Sequence, residues 1–532
     1  MTASRSSLGN EWTLRAEGVN FGATLLDTND LSTIRGAGLS LLEAAPLIEQ
    51  ALIGATLVPQ RIFAGASQVA FRFSADAETA MAALASVRNL LASPAGDVPL
   101  QHLIFVVDLA EVQDADEEAA LQVAEARNRA RQFRNFTAPV PRINAAATQP
   151  DRLDHMRAAE TQADLPGRPR AAISYSVLER RDYGRRQRSL FYAPYLPKGQ
   201  DTLPVCGSFQ DIVDNPPKGL PVAPRGKLAF IYGDGNSFGA ARRALGVRKF
   251  AAEIAARQAT LLQSLTAWLL EGVQDRCALR AVQTSEGWQA RFETLLWGGD
   301  DFLFVMPAWL GLPVLAELEA ATRDWQLAEH KLSCAFGMAI CDVKTPVRIA
   351  RKTAQDLMEL AKEAAKHAPK EDGRVPGSAA IQVFESQSPL DSPLATQRSR
   401  LFGIPEADGP QRALGHRLVL HGKALVDLVA EVRRITDGEV RDGKLSPPVI
   451  HRAIAAARKA GAGLTSAEGE AAAEAVLDTA FGRFGLSPPV PHLPGFGRRG
   501  WALDLCLLAM LRDYCAPSDP GDPPPFPVMV AT

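Results

Sequence analysis

The chain passes twice through nearly the same order of secondary-structure elements, and that duplication restricts its architecture more than any single motif does. In the first pass, residues 18 to 26 alternate as a strand ending at Asp27-Thr28-Asn29-Asp30, and a Leu- and Ala-rich helix runs to about Leu57. A hairpin over Gln60 to Phe73, a helix from Ala77 to Leu91, the apolar strand Leu103 to Val107 and a helix from Glu117 to Phe133 complete it. In the second pass, Leu228 to Tyr232 is a strand ending at Gly233-Asp234-Gly235-Asn236, and Val247 to Glu271 is a long helix. A hairpin around Asp300, a helix near Leu312 to Trp325, the strand Leu332 to Ile340 and the helix Val347 to His367 follow. In that last helix Val347, Ala350, Ala354, Leu357, Met358, Ala361 and Ala365 recur at three- and four-residue steps, which marks one buried face. Each pass predicts a ferredoxin-like sheet backed by helices, an α+β fold.

The second hairpin reads Leu295-Leu296-Trp297-Gly298-Gly299-Asp300-Asp301-Phe302-Leu303-Phe304-Val305. Paired glycines permit the backbone angles of a tight turn, and the aromatic and β-branched flanks favour strands, so two carboxylates stand at the tip. Adjacent acids beside an apolar run repel each other and resist burial. A bound cation, Mg²⁺ with oxygen ligands foremost, accounts for them; so does a solvated acidic turn. Laying the first pass over the second sets Ala64-Gly65-Ala66-Ser67-Gln68 on Trp297-Gly298-Gly299-Asp300-Asp301. The carboxylates have become Ser67 and Gln68, so the first copy is read as structural or regulatory and the second as the one that carries chemistry. Asp27 and Asp30, left at the end of the first copy's strand, are expected to be turn or cap residues.

Asp234 ends a strand that neighbours the hairpin in such a sheet, so Asp234, Asp300 and Asp301 can converge on one edge. Three converging acids can hold two divalent ions roughly 4 Å apart, one activating a hydroxyl and one clamping a triphosphate, as nucleotidyl transfer requires. Gly298 and Gly299 let backbone amides approach a phosphate, while Gly233, Gly235 and Gly239 leave room for sugar and base. Lys362 and Lys366 share one face of the closing helix, where they are either phosphate contacts or solvated surface lysines.

Residues 137 to 225 are Pro- and Arg-rich, and Glu179 to Tyr192 interleave arginines with aromatics. Such a stretch can grip phosphates and stack bases, or form a solvated helix whose arginines pair with acids of a neighbouring domain; the second reading is preferred. After a linker near 385 to 400 come helix candidates at Arg412 to Arg434, Pro448 to Ala460, Glu468 to Phe484 and Trp501 to Tyr514, then a Pro-rich tail. At 532 residues the chain exceeds one core and implies roughly three or four domains. A net charge of −2 argues against a surface that coats nucleic acid, although a local basic patch remains open. Six scattered cysteines without metal-ligand spacing read as reduced, mostly buried thiols of a cytoplasmic protein. Neither a signal-peptide core nor an apolar run of about eighteen residues occurs, so neither secretion nor a membrane partner is expected.

Together, Gly233-Asp234-Gly235-Asn236-Ser237-Phe238-Gly239, Trp297-Gly298-Gly299-Asp300-Asp301-Phe302, the Ser333 to Ile340 strand and the Ala361-Lys362 helix resemble the palm domain of the large subunit of type III CRISPR effector complexes. That is the Cas-ten family, relatives of the GGDEF diguanylate cyclases. The resemblance implies a degenerate first palm (1–136), an insert (137–225), a catalytic second palm (226–385), a helical C-terminal domain (386–516) and a disordered tail (517–532). It implies a Mg²⁺- or Mn²⁺-dependent cyclase that joins ATP into cyclic oligoadenylate with release of pyrophosphate. Asp234 and Asp301 would be the principal metal ligands, and Asp300 would help bind metal and orient or deprotonate the 3′-hydroxyl. Gly235, Asn236, Ser237, Phe238, Gly298 and Gly299 would line the nucleotide, with Lys362 and Lys366 on its phosphates. Expected partners are crRNA-containing effector subunits and target RNA, with the two palms packed as an intramolecular pseudo-dimer. A histidine-aspartate nuclease domain and a zinc site are not expected, since His-Asp is absent and only Cys206 stands in the insert. Asp301-Phe302 in place of Glu-Phe favours the CRISPR branch over a diguanylate cyclase. A non-catalytic scaffold, or a cyclic-dinucleotide synthase outside CRISPR, is the alternative.

Overall fold

The computed structural model describes residues 10–134, 149–384, 393–402, 418–489 and 501–515, apart from 95, 166–167, 300, 371, 437, 461–463 and 465. Asp300, linker residues 385–392, the start of the helix expected from Arg412 and the tail 517–532 lie outside the described residues. The chain divides into two compact units. One comprises Met1–Ser208, Gly239–Leu262 and Thr294–Phe302, the other Phe209–Phe238, Gln263–Glu293 and Leu303–Thr532.

The first unit is built on β1 (Asn10–Val19), a single helical turn α1 (Phe21–Thr24), α2 (Leu31–Gly54), β2 (Gln60–Ala64), β3 (Gln68–Ala75), α3 (Ala77–Ala92), β4 (Ile104–Glu111) and α4 (Glu117–Arg134). Its sheet has the order β2-β3-β1-β4 with every pair antiparallel, the ferredoxin-like arrangement. Because side chains alternate along a strand, Leu14 and Ala16 of β1 enter an apolar core with Phe71 and Phe73 of β3, Ile48 and Leu52 of α2, and Leu84 and Val87 of α3. The intervening Arg15 and Glu17 meet α4 on the opposite face. The first strand is thus Asn10–Val19 and not residues 18 to 26; Asp27 lies beyond it, past α1.

Next come a hairpin, β5 (Thr161–Leu165) and β6 (Arg168–Ile173), and α5 (Tyr175–Gln187). Helix α5 crosses α2 at two glycines: a Cβ on Gly36 would stand 1.7 Å from the Arg180 carbonyl oxygen, and one on Gly184 2.0 Å from that of Ser32. Arg180 is fully buried and grips Asp27 with two parallel hydrogen bonds of 3.0 and 2.9 Å. Asp27 is held also by Arg157, and Asp30 caps α2 through the Thr33 N–H, with Arg181 alongside at 3.5 Å. Two arginines of this stretch, Arg180 and Arg181, do pair with acids of the first sheet's unit. They do so in the interior, which corrects the solvated-helix expectation for that part of the helix.

The second unit holds α6 (Phe209–Val213), β7 (Lys227–Asn236), the hairpin β8 (Ala281–Thr284) and β9 (Gly287–Ala290), α9 (Ala308–Arg323), the hairpin β12 (Gln326–Leu327) and β13 (His330–Lys331), β14 (Ser333–Asp342), α10 (Val347–His367), β15 (Ser378–Val383), α11 (Leu394–Phe402) and β16 (Val419–His421). Helices α7 (Phe238–Leu245) and α8 (Val247–Gln274), with strands β10 (Glu293–Gly298) and β11 (Asp301–Pro307), lie along the chain between these. The sheet order is β10-β11-β7-β14-β15-β16, so the four-strand order of the first sheet recurs with two strands added beyond β14. Helix α9 covers one face, where Gly311 leaves room for Ala229 and Met338. Helix α10 covers the other, where a Cβ on Gly337 would strike the Ala354 carbonyl at 2.0 Å. Every α10 residue of the expected stripe is buried. C-terminal helices Lys423–Thr436, Pro447–Lys459, Ala467–Gly482 and Trp501–Leu511 follow, and Lys227 Nζ donates to the Tyr514 hydroxyl at 2.8 Å, tying this end to the start of β7.

Candidate active site

The candidate site is assembled from strand ends. Strand β7 runs apolar and buried from Leu228 to Tyr232, then reaches the half-buried Asp234. Asp234 faces α10, where Lys362 Nζ donates to its Oδ2 at 2.5 Å; the side chains are 15% and 31% exposed. A carboxylate this accessible is not sealed by its lysine, and it attracts a cation already. Lys366, one turn on, is exposed and paired with Glu363 at 3.0 Å.

Around Asp234 the neighbours divide. A Cβ on Gly235 would lie 2.4 Å from the Phe238 ring, so this glycine makes space for the chain's own phenylalanine and not for a sugar or base. Asn236 turns inward, its amide donating to the Ser333 hydroxyl and, at 3.5 Å, to the Pro376 carbonyl. Ser237 takes a left-handed φ of 64° and is exposed, turning the chain from β7 into α7. Phe238 is buried, and Gly239 has only the tip of Arg243 near its open side.

Asp301 opens β11, the strand next to β7 in the sheet order, and is half-buried. The turn before it is the expected glycine pair, with φ of 123° at Gly298 and 72° at Gly299, angles that L side chains rarely adopt. Gly298 is needed twice over, since a Cβ there would meet the Ala66 nitrogen at 2.8 Å within the first unit. Among the described residues no group of three or more His, Cys, Asp and Glu gathers around a metal-sized space; Asp300 falls outside that set. The donors at hand are nonetheless oxygen donors on strand ends, the chemistry a hard divalent ion takes.

Two residues that support the hairpin were not foreseen. Tyr192 is buried and its hydroxyl bridges Thr294, accepting from the backbone N–H and donating to Oγ1, both at 3.2 Å. Trp297 donates to the Tyr195 hydroxyl at 3.3 Å with the rings edge to face, 6.2 Å apart. The aromatics of the Arg-rich stretch therefore brace β10, while Arg185 and Arg186 stay exposed.

Residues 227–371, from the first residue of β7 to just past α10, match the family model described as Cas10/Cmr2, second palm domain. This segment is a Cas10/Cmr2 palm domain. The palm domain's strands and the rest of the fold find counterparts among solved structures. The apo Csm1–Csm4 cassette matches with a TM-score of 0.52 at 10% identity, covering 96% of this chain and 72% of that one. Csm1 of T. onnurineus matches with a TM-score of 0.51 at 12% identity, covering 94% and 70%. At such identity the likeness is one of fold. No curated protein matches the sequence. Among the described residues no helix is long and apolar enough to cross a membrane.

Proposed function

We propose that this palm protein is a divalent-metal-dependent nucleotidyltransferase that joins ATP into a cyclic oligoadenylate-type messenger, working as the large subunit of a type III CRISPR effector. The observation that carries the reading is Asp234, a half-buried carboxylate near the end of β7 that already draws a cation, Lys362, within the segment that matches the Cas10/Cmr2 second palm domain. Asp234, Asp301 and Asp300 would hold Mg²⁺ or Mn²⁺, which when bound lowers the pKa of an attacking hydroxyl and neutralises phosphate charge. Asp300 would orient the 3′-hydroxyl and accept its proton. The oxygen attacks an α-phosphorus, the bond from that phosphorus to the bridging oxygen breaks, and pyrophosphate leaves. Lys362, held at Asp234 by an ion pair and free to swing on a long stem, would turn to the phosphates, with Lys366 nearby; the amides of Gly298 and Gly299 would face them. Partners would be crRNA-bearing subunits, target RNA and a Csm4-like protein, since the matched cassette pairs Csm1 with Csm4.

A scaffold without catalysis is the second reading, and the first sheet favours it locally, because its acids are engaged by the chain's own cations. Incubation with labelled ATP and Mg²⁺ or Mn²⁺, alone and with RNA-loaded partner subunits, separates the two: a cyclic product absent from Asp301→Ala supports the transferase, and no product under either condition supports the scaffold. Substituting GTP for ATP tests a cyclic-dinucleotide synthase.

A further inference from the structure

The corrected first strand brings a second pair of motifs into register. Glu17-Gly18-Val19-Asn20-Phe21-Gly22 stands where the other sheet has Asp234-Gly235-Asn236-Ser237-Phe238-Gly239. The backbone agrees: Asn20 and Ser237 take left-handed φ values of 57° and 64° immediately before α1 and α7. Beside the missing side chain of Gly18 stand Leu41 at 2.7 Å and the ring of Phe21, three residues on, at 3.5 Å; beside that of Gly235 stands the ring of Phe238, also three residues on, at 2.4 Å. Glu17 is thus the counterpart of Asp234. Its partner across the ladder is Gln68, which opens β3 as Asp301 opens β11.

The first sheet has kept an acid at this place, and the space beside it is filled. Arg15, two residues back on the same face, donates from Nε to Glu17 Oε1 at 2.8 Å and from Nη2 to Gln68 Oε1 at 3.0 Å. Its Nη1 lies 2.9 Å from Glu125 Oε2 of α4, and the guanidinium stands 5.7 Å from the centre of the Phe63 ring. Arg15 is 4% exposed and Glu17 3%. Asn128 of α4, fully buried, donates to Glu17 Oε1 at 3.2 Å, and its own Oδ1 has no hydrogen-bond partner. In the second sheet the position of Arg15 is Tyr232, which brings no charge.

We propose that Arg15 is the resident cation of the first sheet, a guanidinium standing where a divalent ion would sit, and that it closes a latent metal site made of Glu17, Glu125 and Gln68, the three residues whose oxygens it touches. These supply two carboxylates and an amide oxygen, a set suited to Mn²⁺ or Mg²⁺ with water completing the shell. The inference rests on the two sheets being copies and not on the second one being catalytic.

Counting bound Mn²⁺ by electron paramagnetic resonance on the full chain tests it. Arg15→Ala is expected to bind one Mn²⁺ more per chain than the wild type. Gln68→Asp, which adds a carboxylate but leaves the guanidinium in place, is expected to bind no more than the wild type. A folded Arg15→Ala protein without the additional ion overturns the proposal, as does an additional ion in Gln68→Asp. Should Arg15→Ala fail to fold with and without Mn²⁺, Gln68→Asp decides by the same criterion. Both readings are differences from the wild type, so a wild type that binds no Mn²⁺ even with ATP present counts against the transferase and leaves this proposal standing.

Discussion

The two sheets of this protein share a strand order and an acid at the same strand end, and differ in what answers that acid. In the first, Glu17 is sealed at 3% exposure against Arg15 from its own strand. In the second, Asp234 meets Lys362 from a facing helix, with both side chains partly open to water. A buried guanidinium pair is fixed, because breaking it strands a charge away from water. A half-exposed lysine can leave its partner at little cost. One acid is thereby locked in a structural ion pair, and the other is left partly open to water.

The comparison breaks most visibly in activity. Asp234→Ala and Asp301→Ala should each lower cyclic-product formation by at least about 10²-fold, the scale on which a preorganised charge contact acts at a reacting centre. Asp234→Ala should shift stability by less than about 1 kcal/mol, as partly exposed ion pairs do. Urea titration and product chromatography on the same preparations read both.

Glu17→Ala should invert that pattern. Removing one member of a buried pair costs about 3 kcal/mol, read as a lowered urea midpoint. A midpoint unchanged from wild type would mean that Arg15 is satisfied without Glu17 and that the first sheet is not sealed as described.

The glycine crossing sharpens the structural side of the comparison. Gly184→Ala forces a methyl into the Ser32 carbonyl and should destabilise by about 1–3 kcal/mol, with no direct effect on the Asp234 pair.

The smallest effect is one of pH. Burial pushes the Asp27 carboxyl up, but Arg180 and Arg157 outweigh it and hold the group below its ordinary value of 3.8. A depressed folded value means the carboxylate's stabilisation is complete above the unfolded value and is lost as pH falls through the folded one. The stability advantage of wild type over Asp27→Asn should therefore be constant from pH 7 to about 5 and shrink below about pH 4. An advantage that persists undiminished to pH 3 would place the stabilisation elsewhere.

Where sequence patterns track burial by apolar residues, they served well. Helix α10 shows its buried stripe at helical spacing, and the glycine turn before Asp301 has the backbone that only glycine takes readily. Strand β1 hid because the face covered by α4 carries Arg15 and Glu17, which pattern alone reads as solvent-facing, and the register of the two copies slipped from Glu17 to Asp27 as a result. Strand β15 (Ser378–Val383) hid because all six residues are buried, so no alternation remains to reveal it. Nothing in the spacing joins Tyr192 to Thr294; only the fold brings them together.

The central claim, that the second sheet's strand-end acids hold divalent metal for ATP, is tested most directly by Mn²⁺ binding in the presence of ATP, compared between the wild type and an Asp234→Asn/Asp301→Asn protein. The account predicts ATP-dependent Mn²⁺ bound by the wild type and lost from the double variant while its unfolding midpoint stays close to that of the wild type. Equal Mn²⁺ binding by the two proteins would contradict it.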